Sequence, residues 1–311
     1  MAERRFRYVF GPVPSRRLGR SLGVDLVPFK TCSYDCIYCQ LGRTTDKTVE
    51  RKEHAPVADV LAEIRLKLDS GTLPDYITLS GSGEPTLYSE LQRLISGVKE
   101  MTQIPLAVLT NGSLLWDKRV QEELSKADLV VPSLDAGDEA MFQYVNRPHP
   151  SIVFEKMVNG LVEFRKGFPN KIWLEVFLLK GMTAKRSEVQ KIISYVRQVR
   201  PDKIQLNTVT RPPAEDFASP LSQEEMRALA KVFGKNAEVI ADYSHVHRQQ
   251  EFATSREEVL DLLKRRPCSL DDIAAGLAIH HNEAIKHVQH LMEEEIITTE
   301  TRDGKVFYVA K

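Results

Sequence analysis

The amino-acid sequence predicts an α/β protein, in which a large part built from parallel strands precedes a small C-terminal domain. Short apolar segments alternate with amphipathic segments six times, and most apolar segments end in a polar or glycine-rich turn. Strands that alternate with helices pair in parallel through right-handed crossovers, which wrap the sheet into a barrel or into an open doubly wound layer. We expect a partial, TIM-like (βα)6 barrel. After about residue 253 the alternation stops.

The strand–helix units follow one another closely. The first strand is predicted at 22–29 and the first helix at 56–71, with Pro56 near its start and Gly71 at its end. Further strands are predicted within 75–86, 105–112, 128–136, 171–181 and 202–210, with 237–243 as a candidate seventh. The intervening helices are predicted at 88–101, 116–127, in a helical region through about 166, and at 184–199 and 222–234.

The C-terminal residues predict a different architecture. Three helical segments, 255–266, 269–278 and 280–295, precede two strands joined around Asp303 and Gly304, a strong hairpin signal. Three helices and a β-wing make a winged helix-turn-helix, with Ser269 as an N-cap. We therefore expect two domains, residues 1–250 and 254–311.

Composition excludes several classes of protein. The formal net charge of the 311 residues is zero, so no overall charge favours a polyanionic partner. The N-terminal segment has no apolar region of a signal peptide, and no apolar run is long enough to span a membrane. The sequence predicts a cytoplasmic protein with no membrane partner.

Three of the four cysteines lie within eight residues, as Cys32, Cys36 and Cys39 in C-x3-C-x2-C spacing. This odd cluster does not suit a disulfide framework. Structural zinc needs a fourth ligand, yet His54 lies fifteen residues beyond Cys39 and Cys268 falls in the other predicted domain. A [4Fe–4S] cluster is normally held by four cysteines, so three leave one iron open to a small molecule. A zinc knuckle or a chance group of buried thiols is the alternative.

The segment CSYDCIYC resembles the signature loop of the radical S-adenosylmethionine (SAM) enzymes, with Tyr38 as the aromatic residue before the last cysteine. The resemblance implies a [4Fe–4S] cluster whose open iron is chelated by the methionine part of SAM, with Tyr38 near the adenine. It also implies that an electron, from a reductant such as flavodoxin or ferredoxin, cleaves SAM into methionine and a 5′-deoxyadenosyl radical. That radical abstracts a hydrogen atom from the substrate.

Polar residues at the ends of the predicted strands support this resemblance, because ligands bind at that edge of parallel α/β folds. SGSGEPT resembles the Gly-Gly-Glu motif that receives the methionine ammonium, and the strand-end residues that follow it correspond to methionine and ribose contacts. The candidate cofactor-binding residues are Gly81, Ser82, Gly83, Glu84, Pro85, Thr110, Asn111, Ser133 and Asp135. For Ser133 and Asp135, turn and cap chemistry is an equal alternative, and for Asn111 the alternative is a tight turn.

Other polar residues lie in apolar or basic surroundings. Glu175, Gln205 and Asn207 interrupt apolar strands, so they either face the cavity, contacting substrate or adenine, or make internal hydrogen bonds. His245 and His247 are candidate proton carriers or surface residues. Arginines at positions 16, 17 and 20 precede the first strand and can bind a phosphate or carboxylate of the substrate. No catalytic acid or base is identified.

Within the superfamily, GPVPSRRLG, CSYDCIYCQLG, SGSGEPTL, LTNGSLL and SLDA are most similar to iron–sulfur oxidoreductases related to wyosine-base synthases, which act on a guanosine of tRNA. The archaeal wyosine enzymes use further cysteines for a second cluster. Here Cys268 is the only cysteine left, which argues against wyosine formation itself. The predicted substrate is an RNA base or a protein or peptide side chain.

The third C-terminal helix would enter the DNA groove of a winged-helix protein, but it carries four glutamates and one lysine. Such a surface repels phosphates, so the sequence argues against DNA binding, although Arg302 and Lys305 in the wing keep a nucleic acid contact open. The alternative function is a winged-helix transcriptional regulator whose iron–sulfur domain senses redox state.

Overall fold

An eight-stranded sheet organises the larger part of the structure, a computed structural model that describes residues 6–71, 73–241, 256–277, 279, 281–302 and 304–311. The strand order is β1-β2-β5-β6-β7-β8-β9-β10, and every neighbouring pair from β2 to β10 is parallel. The strands are β1 Val9–Ser15, β2 Gly19–Val24, β5 Tyr76–Leu79, β6 Leu106–Thr110, β7 Leu129–Pro132, β8 Lys171–Phe177, β9 Lys203–Asn207 and β10 Ala237–Val239. This topology confirms the predicted α/β partial barrel, including its candidate seventh strand.

Helices connect the parallel strands as the alternating pattern predicts. They are α1 Val57–Asp69, α2 Leu91–Met101, α3 Lys118–Leu124, α4 Glu139–Val145, α5 Phe154–Gly167, α6 Arg186–Val199 and α7 Gln223–Phe233. Local chemistry fixes their starts: α7, for example, begins at a capping box in which Ser222 and Glu225 satisfy each other's backbone N–H groups. The apolar faces of these helices pack on strand residues such as Leu22, Ile77 and Leu174, which are fully buried.

The N-terminal hairpin is a feature that sequence reasoning missed. β1 pairs antiparallel with β2, so one antiparallel edge strand extends the parallel sheet. The predicted first strand is shorter than expected and earlier, because the chain leaves the sheet after Val24 to form the cysteine loop. That loop contains the two-residue pair β3 Thr31–Cys32 and β4 Asp46–Lys47.

The C-terminal residues form three helices and an antiparallel hairpin: α8 Arg256–Arg265, α9 Leu270–Leu277, α10 His281–Glu293, β11 Ile297–Arg302 and β12 Lys305–Ala310. They bury a separate apolar cluster that includes Val259, Ile273 and Leu291. The Ser269 hydroxyl accepts the Asp272 N–H at 3.1 Å, as expected of an N-cap. The winged-helix assignment and the domain boundary stay predictions, since residues 242–255 lie outside the described part.

Ion pairs join this C-terminal unit to the barrel. Arg265 Nη1 lies 3.2 Å from Asp25 Oδ2, and Arg211 Nη2 lies 3.5 Å from Asp272 Oδ1. A third pair, between Arg302 and Asp216, is exposed. Both of the first two pairs involve residues next to the candidate site, so the C-terminal unit contacts that site directly. Among the described helices, none combines the length and apolar character needed to cross a membrane.

Candidate functional site

The cysteine loop follows β2 and places three free thiols in half-buried positions at Cys32, Cys36 and Cys39. A turn joins the last two, since the Cys39 N–H donates to the Cys36 carbonyl at 3.1 Å. Side-chain amides approach two of the sulfurs: Asn111 Nδ2 lies 3.5 Å from Cys32 Sγ, and Asn146 Nδ2 lies 3.5 Å from Cys36 Sγ. Amide N–H groups directed at sulfur stabilise thiolate ligands of an iron–sulfur cluster.

Burial keeps these thiols protonated in the absence of a bound cation. It raises the pKa of Cys32 to about 12 and also raises the pKa values of Cys36 and Cys39. A bound metal deprotonates a coordinating thiol outright, and soft sulfur ligands suit an iron–sulfur cluster or zinc. Within the described residues, no three His, Cys, Asp or Glu side chains converge on one ion position. The three cysteines of a [4Fe–4S] cubane bind three different irons, so their sulfurs need not converge on one ion position. The donor set therefore fits a [4Fe–4S] cluster.

Backbone hydrogen bonds connect the loop after β5 to the cysteine loop. Glu84 N–H donates to the Thr31 carbonyl at 3.1 Å, and Lys30 N–H donates to the Ser82 carbonyl at 2.6 Å. A Cβ atom on Gly83 would lie 1.9 Å from that Thr31 oxygen, so only glycine allows the two backbones to approach this closely. The two predicted motifs therefore form one unit.

The Glu84 carboxylate is buried and holds two strand-end loops together. Its Oε1 accepts from Thr86 N at 3.0 Å and from the hydroxyls of Thr86 and Thr110 at 2.6 Å, while Oε2 accepts from Asn111 N at 2.7 Å. Burial raises the pKa of Glu84, although these four hydrogen bonds oppose the rise. The side chain thus has an internal role that the sequence did not predict, and Thr110 and Asn111 contact Glu84 and Cys32.

Asp25, at the end of β2, positions the same loop from the other side. Its Oδ1 accepts from Ser82 N at 3.1 Å, and its Oδ2 accepts from the Ser82 hydroxyl and from Arg265 Nη1, the latter at 3.2 Å. Arg265 also lies over the Phe10 ring, 3.6 Å from its centroid. One carboxylate therefore connects the glycine-rich loop to helix α8. No local sequence signal marked Asp25.

A cavity of about 260 Å³ opens beside the cysteine loop, inside the partial barrel. Six of the predicted site residues line it: Tyr38, Cys39, Ser133, Asp135, Glu175 and Asn207. The other predicted residues, Gly81 to Pro85 with Thr110 and Asn111, do not line this cavity; Ser82, Glu84 and Asn111 bond to the cysteine loop, and Thr110 bonds to Glu84. The strand ends thus come together as predicted, in two adjoining groups around Cys32 and Cys39.

Tyr38 and Asp135 form the polar wall of this cavity. The Tyr38 hydroxyl donates to Asp135 Oδ2, and the Tyr38 ring stacks on Phe177 with centroids 3.9 Å apart. Asp135 also accepts from Asn146 Nδ2 and from Phe177 N, both at 2.9 Å. Burial raises the pKa of Asp135 to about 6, although these donors lower it. Asn146, which also contacts Cys36, is a site residue that the sequence did not reveal.

Glu175 lies at the centre of a second polar group in the barrel. Arg17 Nη1 lies 2.7 Å from Glu175 Oε2, and Asn207 Nδ2 donates to Glu175 Oε1 at 2.8 Å. Burial acts to raise the pKa of Glu175, but the Arg17 guanidinium, the Asn207 amide and the Arg16 guanidinium together outweigh it and lower the pKa below the ordinary value. Gln205 is fully buried and donates to Glu238 at 2.8 Å, as an internal core hydrogen bond.

The arginines of the N-terminal segment separate into two locations. Arg16 and Arg17 line the cavity, whereas Arg20 does not, and its backbone N–H donates to Asp75 at 2.6 Å. Arg211, after β9, also lines the cavity and was not singled out by the sequence. His245 and His247 lie outside the described residues.

Comparisons with known proteins agree with this arrangement. A model of the Radical SAM superfamily matches residues 26–196. A protein of Brachyspira hyodysenteriae named GTPase Obg is 41% identical over 298 residues, which cover 95% of this chain and 43% of that protein. The chain therefore spans less than half the length of that relative. A UPF0026 protein of Methanocaldococcus jannaschii is 32% identical over 310 residues, covering 96% of this chain and 95% of that protein.

The crystal structure of a radical SAM methyltransferase from Sphaerobacter thermophilus superposes with a TM-score of 0.55 and 20% sequence identity, covering 70% of this chain and 65% of that chain. This likeness supports the partial-barrel fold. Assignment of the chain to a family rests on the match to the family model and on the relatives. The chain therefore belongs to the radical SAM superfamily, a class of enzymes whose cofactors are a [4Fe–4S] cluster and S-adenosylmethionine.

Proposed function

We propose that Cys32, Cys36 and Cys39 bind a [4Fe–4S] cluster through three of its irons, and that SAM binds between this loop and the adjoining cavity. The observation that supports this most is the close backbone contact at Gly83, which places the glycine-rich loop against the cysteine loop. When bound, the reduced cluster would supply an electron for the cleavage of SAM, and the two cofactors together would supply hydrogen-atom abstraction from the substrate.

The residues of the chain bind and orient the two cofactors. Asn111 and Asn146 donate toward the sulfurs of Cys32 and Cys36 and so favour the thiolate forms. The loop 81–85, held in place by the Glu84 carboxylate, presents its backbone toward the methionine part of SAM. Because all four described hydrogen bonds of this carboxylate are internal, its role is to position the loop, with one lone pair of Oε2 left for the ammonium.

The cavity provides groups for the nucleoside part of SAM. Asp135 and Ser133 lie on its wall, where carboxylate and hydroxyl oxygens bind ribose hydroxyls. The stacked Tyr38 and Phe177 rings provide an apolar surface beside the adenine. Glu175 and Asn207 lie deeper in the barrel and face the adenine or the substrate.

The substrate in this proposal is an RNA base or a protein or peptide side chain, modified in the cytoplasm with electrons from flavodoxin or ferredoxin. Residues 254–311 form a domain that contacts the substrate or a protein partner rather than DNA, because the segment 280–295 carries four glutamates and one lysine. Its ion pairs with Asp25 and Arg211 support such a role, since both residues adjoin the candidate site.

Anaerobic reconstitution with iron and sulfide, followed by dithionite and SAM, tests this proposal. The expected product is 5′-deoxyadenosine, together with about four irons per chain. Cys36→Ala is expected to abolish both, because two thiolates do not retain the cluster. Cys268→Ala is the matched control, since Cys268 lies in the C-terminal apolar cluster and outside the cavity. A protein that bound iron but released no 5′-deoxyadenosine, and instead bound DNA duplexes with a steep salt dependence, would favour the regulator.

A further inference from the structure

We propose that Arg16 and Arg211 form a binding subsite for a phosphate monoester of the substrate, inside the cavity that also contains Cys39 and Tyr38. This inference rests on the proposed function, because it assumes that the substrate lies beside the SAM cavity. It narrows the substrate class to phosphorylated molecules. In this proposal the N-terminal hairpin, the loop after β9 and the C-terminal unit all contact the same subsite.

Two separate segments bring the arginines together on the cavity wall. Arg16 comes from the turn between β1 and β2, and Arg211 follows β9, yet both line the same cavity. Arg16 Nη1 donates to Thr210 Oγ1 at 3.1 Å and to Asn207 Oδ1 at 3.4 Å. Arg211 Nη1 donates to Gln40 Oε1 at 3.0 Å. These hydrogen bonds to neutral oxygens orient the two guanidiniums on the cavity wall, and Arg211 also pairs with Asp272 of the C-terminal unit.

Arg211 is buried to a degree that is rare for this residue type, and Arg16 is partly buried. The side chain of Arg211 is 1% exposed, and its contact with Asp272 is long at 3.5 Å. Burial is the largest cause that lowers the pKa of Arg211 to about 9 and that of Arg16 to about 10, with Arg266 contributing to both shifts and Arg17 to that of Arg16. The carboxylates of Asp272 and Glu175 act in the opposite direction without cancelling the effect. An anion in the cavity would offset this unfavourable charge.

The direction of the donors favours a phosphate over a carboxylate. A carboxylate presents two oxygens in one plane and is served by one bidentate arginine, whereas a phosphate monoester presents three oxygens and nearly two negative charges. Here two guanidiniums from different segments line one cavity, and Arg266 lies close enough to act electrostatically on both. Arg266 Nε is buried and has no hydrogen-bond partner among the described residues.

The subsite also lies close to the predicted cluster. Gln40, which accepts from Arg211, directly follows Cys39 in the chain. Arg211 in turn contacts Asp272 on α9, so the C-terminal unit reaches the same subsite. A phosphate held by Arg211 would therefore place the attached substrate beside the cysteine loop, where the radical forms. This geometry explains why the C-terminal unit docks on this side of the barrel.

Calorimetric titration of the full-length protein with inorganic phosphate, at about 0.15 M NaCl to screen surface charges, tests the subsite. Saturable binding is expected, and Arg16→Gln should weaken it by about tenfold or more, because a charge-assisted hydrogen bond is lost. Arg16→Lys should retain part of the affinity. Arg20→Gln is the matched control from the same segment, outside the cavity, and should bind phosphate like the wild type. Thermal melting of each variant reports whether it is folded.

The subsite is refuted if the protein shows no saturable phosphate binding, or if the Arg16→Gln and wild-type proteins bind phosphate equally. It is also refuted if acetate or dimethyl phosphate binds as tightly as phosphate. A separate titration with SAM completes the test. If Arg16→Gln loses SAM affinity but keeps phosphate affinity, the arginine serves the methionine carboxylate instead, which also refutes the proposal. These readouts need no SAM cleavage, so failure of the proposed radical chemistry would be seen independently.

Discussion

Replacing Glu84 by glutamine tests whether this carboxylate holds the two loops together. In the wild type Oε1 accepts three hydrogen bonds and Oε2 accepts one, from the Asn111 N–H at 2.7 Å. Glutamine keeps one oxygen but presents an NH2 group to the other side. If its oxygen retains the three Oε1 contacts, the Asn111 N–H loses its acceptor. A buried hydrogen bond to a charged group contributes about 1.5–3 kcal/mol, so we expect the free energy of unfolding to fall by about that amount.

Urea denaturation followed by tryptophan fluorescence measures this change in the barrel alone, since the two tryptophans, Trp116 and Trp173, both lie there. The measurement belongs at about pH 8 rather than at acidic pH, because burial raises the pKa of Glu84. Glu155→Gln is the matched control at an exposed position and should change stability by no more than about 0.5 kcal/mol. Equal stability of Glu84→Gln and wild type would refute the positioning role of the carboxylate.

Three further predictions concern residues around the same site. The pKa of Asp135 in the folded protein, about 6, lies above its ordinary 3.8. The free energy of unfolding should therefore be highest below about pH 4 and fall by about 3 kcal/mol as the pH rises past 6. Asp135→Asn should flatten that part of the pH–stability curve. Asn146→Ala should leave the iron content unchanged but lower the reduction potential of the reconstituted cluster in an EPR-monitored titration, since a donor to Cys36 Sγ is removed; an unchanged potential would contradict this contact. Arg265→Ala should weaken SAM binding severalfold, by about 1 kcal/mol, because Asp25 loses its partner, whereas Arg256→Ala, which breaks a pair with Glu294 inside the C-terminal unit, should not.

The sequence predicted the elements of the barrel because hydrophobic periodicity and capping residues are local signals. Gly71 and Ser222 mark helix ends by chemistry that a few residues determine. The antiparallel β1 lacked such a signal, since its segment VFGPVPS contains two prolines and a glycine. These residues argue against a strand unless it lies at an edge, which is where the structure places it.

The sequence predicted the motifs of the candidate site but not the side-chain contacts that join them. Cys32, Gly83 and Asp135 were found because each lies at a strand end or in a known spacing. Asn146 and Asp25 were missed because they act through contacts with residues distant in sequence, 110 and 57 positions away respectively. Glu84 was singled out from its motif, but which atoms surround its carboxylate depends on how two loops pack, and no local pattern encodes that.

The central claim is that one iron of a three-cysteine cluster is left for SAM. EPR spectroscopy of the reduced, anaerobically reconstituted protein, before and after addition of SAM, tests it most directly. About four irons per chain are expected, with a cluster signal that changes when SAM is added, because SAM becomes a ligand. A signal unaffected by saturating SAM, or a metal content of one zinc per chain in the anaerobically isolated protein, would contradict it.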